Sequence, residues 1–98
     1  MFGERAELHT PDAARGDPDS MEILRVGLAG GAQHVTLKSG VWEDPAAWGL
    51  MLADLARHIA NTYAAEGQDK AAALERICEG FQAEMNSPTD EPTGNVGP

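Results

Sequence analysis

Two adjacent glycines, Gly30-Gly31, constrain this chain more than any other feature. They sit between two runs, residues 23–29 and 32–38, in which apolar and polar side chains alternate. A two-residue hairpin turn needs positive φ at both centres, and glycine adopts it without steric cost. Counting outward from that turn sets Ala29 opposite Ala32, Leu28 opposite Gln33, Val26 opposite Val35 and Leu24 opposite Leu37. This register gathers Leu24, Val26, Leu28, Val35 and Leu37 on one face. The other face receives Ile23, Arg25, Gly27, His34, Thr36 and Lys38. The alternation predicts a sheet with one solvated face and one that must be covered.

Two helices supply the expected cover. Asp44 is a good N-cap, Pro45 suits the first helical position, and Gly67 marks a stop. On the wheel of that helix Trp48, Leu52, Leu55, Ile59 and Tyr63 share a narrow arc. Leu52, Leu55 and Ile59 are therefore expected to meet Leu24, Val26, Val35 and Leu37. A seam of small residues, Gly49, Ala53, Ala56, Ala60 and Ala64, runs beside the arc. Glycine inside a helix costs about 1 kcal/mol relative to alanine, so Gly49 predicts a close backbone approach. The second helix spans about residues 70–86 with Asp69 as its N-cap, and its stripe is Leu74, Ile77, Cys78, Phe81 and Met85. Only Gly67 and Gln68 separate the helices from cap to cap, which makes them antiparallel neighbours. The fold class is α+β, a two-layer ββαα arrangement with its domain at residues 21–87. Residues 1–20 and 88–98 are polar and rich in proline and glycine, so they are expected to be a flexible leader and a flexible tail.

The chain has 98 residues and a formal charge of −9. A single domain of this size buries only about 60–65% of its unfolded surface, so its core is marginal. The acidity disfavours nucleic acid and anionic membranes as partners. One cysteine allows no internal disulfide. The first 20 residues contain no apolar run of the signal-peptide kind, and no stretch reaches about 18 apolar residues. A cytoplasmic location is the expectation.

No spacing of residues identifies a catalytic centre, a metal site or a cofactor. His9, His34 and His58 share no ligand spacing with one another or with Cys78. Cys78 lies in an apolar stripe with Glu75 and Glu79 nearby and is expected to be a core thiol. Arg25, His34, Thr36 and Lys38 concentrate positive charge on the polar sheet face, which makes them candidate ligands for a small anion. Asp54, Arg57, His58 and Asn61 cluster on the outer side of the first helix, and Asp54 could reach His58 four residues on. Leu50 falls among them, an apolar side chain on a polar face, and marks a candidate partner surface. Trp42 and Trp48 flank the helix start, where a staple-like contact is expected.

The stretch VWEDPAAWGLMLADLARHIANTYA, the preceding EILRV strand and the later NSPTDEP resemble a family of small bacterial proteins known only as a domain of unknown function. The likeness covers about residues 21–92. Trp42, Asp44, Pro45, Trp48, Gly49, Leu55, Ala56, Arg57 and His58 carry most of it. It implies a small bacterial α+β protein and no particular activity. Gly27 departs from the bulkier residue the family leads one to expect.

These features favour a non-enzymatic interaction module, with a small anion binder or small enzyme as the alternative. The expected partner is a second copy of the chain, with another protein also possible. A bare hairpin has two unpaired edges, and neither strand carries a proline to blunt them. Pairing with a second hairpin across a two-fold axis would complete the sheet. A third strand from the leader, near residues 6–9, is the other solution.

Overall fold

The computed structural model describes residues 7–89 and 93–97. Its elements run in the order α1 (Asp12–Arg15), β1 (Leu24–Ala29), β2 (Ala32–Lys38), α2 (Ala46–Ala65), α3 (Lys70–Asn86) and β3 (Thr93–Gly97). The strand hairpin followed by two long helices is the expected α+β order. Among the described residues, no helix is long and apolar enough to cross a membrane.

The turn conformation follows from its glycines: Gly30 has φ 60° and Gly31 φ 76°. β1 and β2 pair antiparallel with Leu24 opposite Leu37, Val26 opposite Val35 and Leu28 opposite Gln33. The ladder extends one step further, where the Lys38 amide donates to the Ile23 carbonyl at 2.9 Å. The apolar and polar faces of the hairpin are thus those set by the turn.

The sheet has a third strand. β3 runs parallel to β2, giving the order β1-β2-β3. It lies in the segment read from composition as a tail, and that reading is corrected here. Main-chain pairing needs no apolar pattern, and Val96 is the one large apolar residue of this strand. The glycines permit the approach: a Cβ at position 94 would run into the Val35 carbonyl oxygen. Ser39 clasps the end of the strand, its amide and its Oγ donating to the Gly97 carbonyl at 3.2 and 3.1 Å. The alternative third strand from the leader does not form among the described residues. Ala6 lies outside the described residues, and residues 7–9 are not in a strand. The leader is nevertheless tied locally. It carries α1 with an Asp12–Arg15 ion pair, and Ser20 Oγ donates to the Ala14 carbonyl at 2.8 Å.

The helix starts are those expected. The Asp44 carboxylate accepts from the Ala46 amide at 3.0 Å, and Pro45 already has helical dihedrals. Asp69 accepts from the Ala72 amide at 2.9 Å. Gly67, with φ 96°, turns the chain so that α3 packs back on α2. The small seam works over its second half. Ala60 is fully buried and Ala56 and Ala64 are half-buried, as are Ala73, Leu74 and Ile77 of α3. Gly49 does not fit the close-approach explanation, because nothing lies within 4 Å of where its Cβ would be.

The expected packing of the first long helix on the hairpin is absent. Among the described residues, close backbone approaches join β1 to β2, β2 to β3 and α2 to α3, and no strand approaches a helix. Leu52, Leu55, Ile59 and Tyr63 are between 40% and 45% exposed, and Val26 and Leu28 are 52% and 64% exposed. The linker, residues 39–45, explains why the layers can stay apart. Gly40 bends it at φ 73°, and beyond that bend Trp42 packs on Trp48 of α2. Leu55 accordingly lacks the enclosure that makes a buried leucine worth about 2–5 kcal/mol.

The close contact at Gly94 makes a prediction. Gly94→Ala should detach β3 and abolish slow amide exchange along the β2 edge that it covers. Gly97→Ala, whose Cβ would meet the Leu37 carbonyl at an ordinary 3.8 Å, should retain it.

Candidate functional site

The polar face of the sheet holds the cationic candidates. Pairing sets Arg25 opposite Thr36 and His34 opposite Gly27, and strand alternation keeps all of them on one side. Arg25, Thr36 and Lys38 line one open depression of about 180 Å³, with Glu22, Ile23 and Gly97 among its other walls. His34 lies outside it, with its Nε2 3.2 Å from the Ala29 carbonyl oxygen. Three of the four residues are therefore brought together and the fourth is not. No Cβ neighbour would lie within 4 Å of Gly27, so the missing bulk at that position leaves open space beside His34.

Arg25 already has anionic partners. Its Nη2 donates to the Glu22 carboxylate at 3.0 and 3.1 Å and its Nε donates at 3.2 Å, while Nη1 reaches Glu7 Oε2 at 2.8 Å. The hydrogen bonds to Glu22 and the charges of Glu22 and Glu7 raise the guanidinium pKa above its ordinary value. An external anion must compete with both carboxylates. Sequence reading missed these two residues. Glu22 had a signal, three positions before Arg25. Glu7 had none, because it is brought there from the leader.

The outer side of α2 carries the second candidate set. Leu50 is 70% exposed. Asp54, Arg57, His58 and Asn61 are exposed beside it. Asp54 Oδ1 accepts from Arg57 Nη1 at 3.1 Å, so the carboxylate is directed at the guanidinium rather than at His58. An exposed pair of this kind adds little stability.

Cys78 is exposed, not a core thiol. Phe81 and Met85 of the same stripe are exposed as well, at 55% and 65%. The reason is again the missing cover: α3 meets only α2. A second open depression, about 340 Å³, lies at the helix turn between Tyr63, Gln68, Asp69 and Arg76. Nothing in the residue pattern pointed to it. Trp42 and Trp48 make the expected contact edge to face, with ring centroids 5.1 Å apart and planes at 80°. Among the described residues no three His, Cys, Asp or Glu side chains come together as metal ligands.

A family model matches residues 7–89. The chain belongs to the family described as Domain of unknown function (DUF5076). The match takes in most of the leader as well as the hairpin and both helices. No curated protein matches the chain. A solved structure from the photosynthetic bacterium Rhodopseudomonas palustrus CGA009, provisionally described as a pyruvate dehydrogenase, is similar throughout. It shares 40% identity over 89% of this chain and 90% of its own, with a TM-score of 0.71.

The tryptophan contact offers a direct test of how the linker is held. Edge-to-face pairs contribute about 0.5–1.5 kcal/mol beyond their buried area. Trp42→Ala should therefore lower stability to urea by at least that amount and remove the near-ultraviolet circular dichroism of the pair. Trp42→Phe should recover part of both.

Proposed function

We propose that this chain is a small interaction module, not an enzyme, and that it works as a homodimer. One observation carries the reading: Val26 and Leu28 on the apolar face of the hairpin, and Leu52, Leu55, Ile59 and Tyr63 on the stripe of α2, are left exposed by their own chain. Monomeric proteins rarely leave contiguous apolar surface of this kind uncovered. The charge of −9 opposes association of two copies at long range, so the attraction has to come from the apolar side chains. The Leu50 surface, with Asp54, Arg57, His58 and Asn61, is a further contact region on the opposite side of α2.

Light scattering after gel filtration should give twice the 10.4 kDa of one chain at micromolar concentration. Leu50→Lys should weaken association or the capture of another protein. If it alters neither, Leu50 is not part of a contact surface. A mass of one chain across a wide dilution series would sink the homodimer.

A second reading has its own support. Arg25, Thr36 and Lys38 share one depression, so a small anion could be held on the sheet. The similar structure is described, provisionally, by a reaction of pyruvate, a small carboxylate. Pyruvate is thus the first anion to try, followed by phosphates and nucleotides. Ligand at 100 times its dissociation constant stabilises by about 2.7 kcal/mol, which a thermal-shift assay detects. The anion reading expects such a shift, and expects Arg25→Ala to remove it. No shift with any anion would end that reading.

A further inference from the structure

The two exposed apolar faces belong to one chain yet do not meet within it. The sheet presents Val26 and Leu28, and the helical hairpin presents Leu55 and Ile59 of α2 with Phe81 of α3. We infer that they meet between chains: the helices of each copy lie on the sheet of the other. This crosswise arrangement rests on the homodimer reading above and adds to it which face finds which.

The surface area supports a second copy as the occupant. The chain exposes 8316 Å², whereas a compact monomer of 10.4 kDa exposes roughly 5,400 Å². The surplus is about 2,900 Å² per chain. Part of that surplus belongs to the exposed leader, but half of it buried on each of two copies would already amount to about 2,900 Å² in total, within the roughly 2,000–5,000 Å² of permanent dimers. The radius of gyration agrees: 15.4 Å, against about 13 Å for a compact chain of this length.

Shape favours helix on sheet over like on like. The apolar sheet face is one pleated surface and the α2 stripe is one ridge, the usual complement in two-layer α+β domains. A two-fold axis satisfies both pairs at once, because a residue of one copy touches the second copy's counterpart face and the reverse contact follows by symmetry. The linker permits it, since Ser39 stays with the sheet through Gly97 and Trp42 packs on Trp48 of α2, while no described strand approaches a helix.

Complementation between two damaged chains tests the arrangement. Leu28→Glu spoils the sheet face and Ile59→Lys spoils the helix face. Each variant alone should run at the mass of one chain, at a concentration where the unaltered protein is dimeric. Their equimolar mixture should return to the dimer mass. One junction of the mixed pair then keeps two unaltered faces, and the other joins the introduced carboxylate to the introduced ammonium. Far-ultraviolet circular dichroism checks that both variants keep their helices, and if either does not, Val26→Glu with Leu55→Lys replaces the pair. A mixture that stays monomeric, or a single variant that stays dimeric, overturns the crosswise packing while leaving the homodimer in place. Unaltered protein that is monomeric at every concentration overturns both.

Discussion

A strand hairpin with one apolar face must bury that face, and none of the described helices lies on it. The rest of the architecture depends on this unmet requirement. Within the chain each layer is half a structure: the strands pair with one another in one sheet, and the helices pack on each other through Ala60. What is missing is the contact between layers, normally the main source of stability in a small α+β domain. Ala60 is the one fully enclosed apolar side chain among the described residues and the others are at best half-buried, a thin core against the ordering of some 80 residues at about 1–2 kcal/mol of backbone entropy each.

The polar face follows a different logic. Its most prominent cation, Arg25, is held by Glu22 from the start of the strand and by Glu7 from the leader. These contacts are solvent-exposed, so they contribute little to stability. Their effect is local: they neutralise the charge that would otherwise draw an anion into the depression beside Thr36 and Lys38. The same contacts give the leader a place on the domain. That agrees with a family match that begins at residue 7 rather than at the first strand.

The local elements were legible because their causes lie within a few residues. Gly30-Gly31 set the turn and thereby every pair in the β1–β2 register. Asp44 and Asp69 set the helix starts, and Gly67 set the reversal between them. The candidate residues could be assigned to faces for the same reason, since a face is a matter of period. Which of them share a depression could not be read in this way. Glu7 reaches Arg25 across 18 positions, and His34 is separated from Thr36 and Lys38 by where the third strand and the strand ends lie.

Sequence alone determined the α+β order, the turn, the register, the caps and the division of each element into apolar and polar sides. Each of these follows from backbone sterics and short-range periodicity. Only the tertiary structure decided that β3 joins the sheet, that Cys78 is exposed, that Gly49 faces open space and that the two layers stand apart. The physical reason is that an apolar stripe states that it must be covered without stating by what. Hydrophobic burial is non-directional, so the choice between a neighbour in the same chain and one outside it is made by linker geometry and backbone approach, which no local pattern encodes.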